Sequence, residues 1–239
     1  MLPPGIKPRG FRQPRCAGCG LTPDACVCGL FPRLECPLSI SVVMSRPEAR
    51  SASNSARLLA LWLPGVELHV QGGPGAACDP DDFAARPGSA LLFPASGAPE
   101  PLPADVRHLI VPDGTWSQAR RIERRWFAAR DLPRVALSGP WPSVYGLRRG
   151  REGLCTFEAT ALALGLLHDR TLAEVLLARF SEWTRRALVL KAGGRPAALG
   201  AAPAPPEAIH PAIGLLRALP PGSSDAMAAR HAPAGSAGR

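Results

Sequence analysis

The chain has 239 residues, 46% hydrophobic, with 28 basic against 19 acidic side chains, a net charge of +9 and an isoelectric point near 10.0. That length suits one well-cored domain with small additions. No apolar run is long enough for a membrane span, and the basic amino terminus lacks the apolar stretch of a secretory signal, so the chain is read as soluble and cytoplasmic. The positive charge favours polyanions, although an arginine-preferring genome would give the same composition.

Residues 1–15 form a Pro- and Arg-rich arm. Four of the seven cysteines follow within thirteen residues, Cys16, Cys19, Cys26 and Cys28, while Cys36, Cys78 and Cys155 are scattered. Four thiolates at these spacings can close around one Zn²⁺, and Gly18 and Gly20 supply tight turns; unligated or redox-active thiols are the competing reading. A site closed by four cysteines leaves no open coordination position, so its role is structural or RNA-contacting. Residues 1–36 are taken as arm plus zinc-binding module.

Beyond them, PLSISVVM (37–44) reads as a buried strand. Ser51 or Ser53 is positioned to cap a helix over 54–63, stopped by Pro64-Gly65, and VELHV (66–70) alternates as a strand. Residues 71–88 read as loop, SALLFP (89–94) as a buried strand, and RHLIVP (107–112) as another. Thr115 and Gln118 then form a capping-box pattern. The helix they open should bury Ala119, Ile122, Trp126 and Ala129, and expose Arg120, Arg121, Arg124 and Arg125. RVAL (134–137) is a short strand and 138–153 a long loop carrying Tyr145, Arg148 and Arg149. An apolar helix begins near Thr156, whose hydroxyl is placed to cap it, with Glu158 favouring the helix dipole. Thr171 and Glu174 form a second capping-box pattern before a helix through Leu190. From 192 onward the chain is Ala-, Gly- and Pro-rich and reads as a flexible tail, within which AIGLLRAL (212–219) is able to dock. Strands alternating with helices over 37–191 predict an α/β domain with a mainly parallel sheet and helices on both faces.

Two features carry candidate chemistry. DGTW (113–116) lies beyond a buried strand and before a helix, where open α/β sheets place ligands and where anions find free N–H groups. A plain Asp-Gly turn with a capping threonine explains the same residues. Residues 116–151 hold Arg120, Arg121, Arg124, Arg125, Arg130, Arg134, Arg148, Arg149 and Arg151 against Glu123 and Asp131. A concentrated basic segment of this kind points to nucleic acid.

The four-cysteine knuckle, RPEARSASNSARL (46–58), LLFP (91–94), DGTW, YGLR (145–148) and CTFEA (155–159) together resemble the DTW-domain family of tRNA-uridine aminocarboxypropyltransferases, over residues 16 to about 190. The chain departs from that pattern at Ser45-Arg46-Pro47, where a His-Pro pair is usual, and at Cys155, where serine is usual. The resemblance implies a SPOUT-like fold with a C-terminal trefoil knot. It also implies transfer of the 3-amino-3-carboxypropyl group of S-adenosylmethionine to N3 of a tRNA uridine. On that reading Asp113, Trp116, Thr156 and Glu158 serve catalysis, with Asp113 as the base and Trp116 stacking on a base or on adenine. Leu92, Phe93, Pro94 and Thr115, together with Leu137, Arg148, Thr156 and Ala159, hold the donor. Arg120, Arg121, Arg124, Arg125 and Arg149 contact RNA. Two alternatives stand beside this one: a SPOUT-type RNA methyltransferase, and a zinc-dependent RNA-binding protein without catalysis.

Overall fold

The computed structural model describes residues 14–72, 79–94, 101–147, 153–194 and 210–219. Arg148, Arg149 and Arg151, and most of the expected arm and tail, lie outside the described residues. Five parallel strands form one sheet in the order β2-β1-β4-β3-β5: β1 (Ser39–Ser45), β2 (Val66–Gln71), β3 (Ser89–Leu92), β4 (His108–Asp113) and β5 (Arg134–Val135). Helices α1 (Arg46–Ala49), α2 (Arg57–Trp62), α3 (Pro80–Ala84), α4 (Trp116–Ile122), α5 (Thr156–Leu167), α6 (Arg170–Lys191) and α7 (Pro211–Ala218) complete it.

Strand side chains alternate between two apolar layers, as period-2 geometry requires of a sheet covered on both sides. Ile40, Val42, Met44, Leu109 and Val111 face the larger layer with Trp62, Phe157, Phe180 and Trp183. Val43, Leu91 and Ile110 face a smaller one with Phe83, Ile122 and Phe127. The cysteine module is continuous with the larger layer, contributing Cys19, Leu21, Ala25 and Val27. It is tied there by Trp183 Nε1–H to Cys19 C=O (2.9 Å) and by Arg179 to Pro32 C=O (2.6 Å).

Strands β1 and β4 are neighbours whose onward connections leave in opposite directions, β1 toward β2 and β4 across β3 toward β5. Such a switch point opens a crevice at the carboxyl ends of the strands. Met44 of β1 pairs with Asp113 of β4 at that end.

Several local expectations are corrected. Ser51 and Ser53, whose hydroxyls bond each other at 3.0 Å, do not cap α2; its N-cap position is Ala56, and the first helical N–H, that of Arg57, is met by Asn54 Oδ1 (3.1 Å). Asp169, not Thr171, caps α6, its carboxylate accepting Leu172 N–H at 3.0 Å. Both replacements are short polar side chains with strong acceptors, a capping preference the serine and threonine merely shared. The segment read as loop over 71–88 contains α3, capped by Asp79 with Pro80 at its first position. The strand over 134–137 is reduced to two residues.

The arginine helix holds to its expected face only as far as Ile122. A π-turn follows at Glu123–Phe127, where Ala128 N–H reaches Glu123 C=O, and the extra residue rotates the pattern. Phe127 is therefore buried in place of Trp126, and Ala129 is exposed. Arg120, Arg121, Arg124 and Arg125 remain solvent-facing. Within the expected tail, the described residues 210–219 form helix α7, which buries Ala212, Ile213 and Leu216.

Candidate active site

DGTW folds as a strand end followed by a capped helix. Thr115 N–H donates to Gln118 Oε1 (2.7 Å), and Gln118 N–H returns to Thr115 Oγ1 (3.4 Å). Gly114 has φ +144°, and a Cβ there would meet Gln118 Oε1 at 2.8 Å, so only glycine allows the strand to turn into this cap. Thr115 is thereby spent on the helix terminus, and it is absent from the cleft wall.

A cleft of about 1230 Å³ opens beside the turn. Of the residues expected to hold a donor, Leu92, Phe93, Pro94, Leu137, Thr156 and Ala159 line it, as does Trp116. The ends of β4 and β5 (Val111, Pro112, Val135), Gly114 and Ala119, the 139–146 loop and the Gly153–Cys155 approach to α5 complete its wall. Its size exceeds the usual small-ligand pocket. Trp116 is 50% exposed at the mouth, stacked on Phe93 with centroids 5.4 Å apart and planes at 8°. The Arg120 guanidinium lies over Trp116 at 5.7 Å and that of Arg134 over Phe93 at 6.0 Å, so cations flank the ring pair at both ends.

Asp113 is 2% exposed and sits behind this wall, between the lining residues Pro112 and Gly114. Its Oδ1 accepts from Thr156 Oγ1–H and its Oδ2 from Asn54 Nδ2–H, both at 2.6 Å. Thr156 is consequently not the cap of α5. Cys155 occupies that position, and the Thr156 hydroxyl, inside the first turn, joins Asp113 to the cleft.

Glu158 is fully buried and does not reach the cleft. Its Oε2 accepts from Ser143 Oγ–H (2.7 Å) and Cys155 N–H (2.8 Å), and its Oε1 from Val144 N–H (2.8 Å) and His210 Nε2 (3.2 Å). Burial alone would raise its carboxyl. The bonds from His210, Cys155, Ser143 and Val144 outweigh burial and hold it below its ordinary value. Glu158 thus pins the cleft loop at 143–144 to the start of α5 and to the cap of α7. Asn54, Ser143 and His210 were not singled out in the sequence. Asn54 carried a usable signal, since it stands three residues before the α2 amide that it caps.

The Sγ atoms of Cys16, Cys19, Cys26 and Cys28 lie within 4.8 Å of one another. Two of these contacts are 3.5 Å (Cys16–Cys28) and 3.7 Å (Cys19–Cys26). A tetrahedral Zn–S bond of about 2.3 Å needs sulfur atoms about 3.8 Å apart, so the donor set fits zinc. Burial pushes the Cys19 thiol up to about 11, and Cys28 is raised further by burial and its cysteine neighbours. At Cys16 the raising effect of burial is outweighed by hydrogen bonds, first from the Cys19 backbone, which bring it to about 7. A bound cation would be the charge that ionises all four.

Among the described residues Arg121, Arg124 and Arg125 have no ion-pair partner, whereas Arg130 pairs with Asp81 and Arg134 with Glu123, each at 2.6 Å. The exposed face of the arginine helix is left cationic and adjoins the cleft through Trp116.

The DTW domain profile matches residues 13–188. The chain is 27% identical over 184 residues to tRNA-uridine aminocarboxypropyltransferase 2 of Macaca fascicularis, covering 70% of this chain and 61% of that protein. It therefore spans about three-fifths of that relative's length. It is also similar to the structure of the SAM-dependent rRNA:acp-transferase Tsr3 from Vulcanisaeta distributa, at a TM-score of 0.43 and 21% identity, over 66% of this chain and 85% of the other. A profile match running from the start of the described residues to the last turn of α6, and taking in DGTW, Asn54 and Thr156 alike, shows that the chain belongs to the DTW-domain family.

Proposed function

We propose that this protein transfers the 3-amino-3-carboxypropyl group of S-adenosylmethionine to N3 of a uridine in tRNA, releasing 5′-methylthioadenosine. The observation that carries this reading is the pairing of Thr156 with Asp113. Thr156 lines the cleft, and its hydroxyl donates to a carboxylate that is only 2% exposed.

The reaction needs an N3–Cγ bond to form as the Cγ–S bond breaks, and the N3 proton must leave. Asp113 is too enclosed to meet a substrate directly as the base its sequence position suggested. Thr156 Oγ1 donates its only proton to Asp113, so its lone pairs face the cleft as an acceptor for uridine N3–H. As N3 attacks, that proton passes to Thr156 and the Thr156 proton to Asp113, leaving a neutral thioether and a protonated carboxyl. Asn54 holds the second oxygen of Asp113 and fixes the direction of the first.

The backbone of Leu92–Pro94 and the loop that Glu158 pins supply a cofactor cradle, and Trp116 offers a face on which an extruded base stacks. Orientation decides which carbon of the sulfonium is attacked, so the fixed wall is the specificity element between aminocarboxypropyl and methyl transfer. Arg121, Arg124 and Arg125 face the phosphate backbone of the RNA.

Mass spectrometry of tRNA nucleosides after incubation with S-adenosylmethionine tests the reading. A uridine gaining the aminocarboxypropyl mass, with methylthioadenosine released in equal amount, is expected. A methyl-sized increment with S-adenosylhomocysteine overturns it in favour of a methyltransferase. tRNA binding with no S-adenosylmethionine binding in calorimetry overturns it in favour of a non-catalytic RNA-binding protein.

A further inference from the structure

The four-cysteine module and Asp113 belong to different parts of the sequence, yet one buried cation stands between them. Arg57 is 4% exposed although it carries a charge at the first position of α2, a helix otherwise of apolar residues. Its NH2 group donates to Ser51 C=O (2.6 Å) and to Ala49 C=O (3.4 Å), which ties down the irregular segment between α1 and α2. Its NH1 atom lies against Gly20, where an added Cβ would stand 3.4 Å from it and 2.7 Å from Ala52 C=O. The knuckle backbone is thus in contact with both Arg57 and the segment that Arg57 holds. Burial works against the arginine's charge, and the acidic groups sustaining it are Cys19, Asp113, Glu48 and Cys16 in that order.

From Arg57 the path to the site is short. Its own N–H donates to Asn54 Oδ1 (3.1 Å), and Asn54 Nδ2 donates to Asp113 Oδ2 (2.6 Å) and Glu48 Oε1 (3.3 Å). Asn54 is 1% exposed, and its amide makes all three bonds at once only while residues 48–57 keep this conformation.

We propose that Arg57 is a positioning residue that couples the cysteine centre to Asp113. A metal held by four thiolates leaves a net negative charge, which fixes the guanidinium. The guanidinium fixes the Ala49 and Ser51 carbonyls, and the segment they belong to presents Asn54 to the carboxylate. The module is then a buttress of the site. Its consequence for turnover rests on the function proposed above, but its structural content does not. The coupling is reciprocal, so anything that orders Asp113 also tightens the metal.

Hydrogen–deuterium exchange on the full zinc-loaded chain, before and after a chelator, provides the test. Metal removal is expected to speed exchange about tenfold or more in residues 48–57 and 109–116, with little change across 122–128, whose Ile122 and Phe127 pack in the smaller layer on the other face of the sheet. Arg57→Met, with zinc bound, should loosen residues 48–57 in the same way and lower zinc affinity in chelator competition by about tenfold. Arg57→Lys keeps the charge without the planar fork. It should restore most of the zinc affinity while leaving residues 48–57 loosened.

Loosening confined to residues 16–28 after metal removal overturns the proposal. So does loosening spread equally over 122–128, which makes the centre a general staple. Wild-type exchange and zinc affinity in Arg57→Met also overturn it. None of these readouts requires transfer activity, so failure of the proposed reaction would show separately, as absence of modified nucleoside from a chain whose segments still respond to zinc.

Discussion

Strand β4 begins at His108 and ends at Asp113, and each is the centre of a buried polar network. At the amino end, His108 Nδ1 lies 2.8 Å from Ser89 Oγ and Nε2 lies 2.9 Å from Ser41 Oγ, with Glu67 and Arg86 beyond at a 2.9 Å ion pair. At the carboxyl end, Asp113 holds Asn54 and Thr156. The two side chains are an odd number of residues apart and face opposite layers, His108 toward Phe83 and Asp113 toward α5. Both networks are well bonded, so bonding alone distinguishes neither as functional. The difference is a wall: Thr156 of the second network borders the 1230 Å³ cleft, and no member of the first does. A buried network that hands one hydrogen-bond acceptor to a cavity is built for a ligand, whereas one closed on itself holds strands together.

That contrast is most sharply broken at Asp113 and Thr156. Asp113→Asn places an amide N–H against a group that already donates, either Thr156 or Asn54. Transfer should fall about a hundredfold or more, with S-adenosylmethionine affinity by calorimetry little changed. Thr156→Val should fall comparably and Thr156→Ser should retain most activity, because only the hydroxyl matters. Near-normal single-turnover rates in Thr156→Val would remove the relay, and near-normal rates in Asp113→Asn would remove the carboxylate.

Smaller effects are expected at the mouth. Trp116→Ala deletes a half-exposed ring stacked on Phe93 and should weaken tRNA binding about tenfold while leaving the melting temperature nearly unchanged. A loss of stability without a loss of tRNA affinity would make Trp116 a packing residue. Reversing charge at Arg121 and Arg125 should weaken tRNA binding and flatten the slope of log affinity against log salt by about two. An unaltered slope would reduce that arginine face to solvated surface.

The parallel sheet, the helices on both faces and the place of DGTW at a strand's carboxyl end were legible because apolar periodicity and strand length survive in a single sequence. Individual caps were less so. Ser51, Ser53 and Asn54 all have the right chemistry, and the choice of Asn54 follows from a partner 59 residues away, Asp113. The π-turn at Glu123–Phe127 left no local mark, and it moved Phe127 into the core where Trp126 was expected. Glu158 illustrates the same limit. Its position at a helix start was visible, but its four partners come from the 143–144 loop, the α5 cap and the α7 cap, brought together only by the fold. A carboxylate chosen by motif thus proves to be a clamp on the cleft wall.

The closed network at the other end of β4 should leave transfer untouched and act on stability alone. Ser89 Oγ–H donates to Phe83 C=O (2.6 Å), so it accepts from His108 Nδ1–H, and Nε2 then accepts from Ser41, whose contact with it (2.9 Å) is shorter than that with Glu67 (3.2 Å). This pattern suits the neutral ring. Burial, with Arg86 nearby, accordingly lowers His108 to about 4. A histidine depressed on folding contributes stability that is fully present above its unfolded value near 6.5. That stability is lost as pH falls toward 4, because over that interval the unfolded chain takes up a proton that the folded chain refuses. The loss should approach about 3 kcal/mol. Denaturant titrations from pH 7 to 4 should show this decline in the wild type and a flatter profile in His108→Gln, which should also lose about 1–3 kcal/mol at pH 7 through its broken bonds. Transfer per folded molecule in His108→Gln should match the wild type. A fall in that rate would join the two networks through β4 and end the distinction between them.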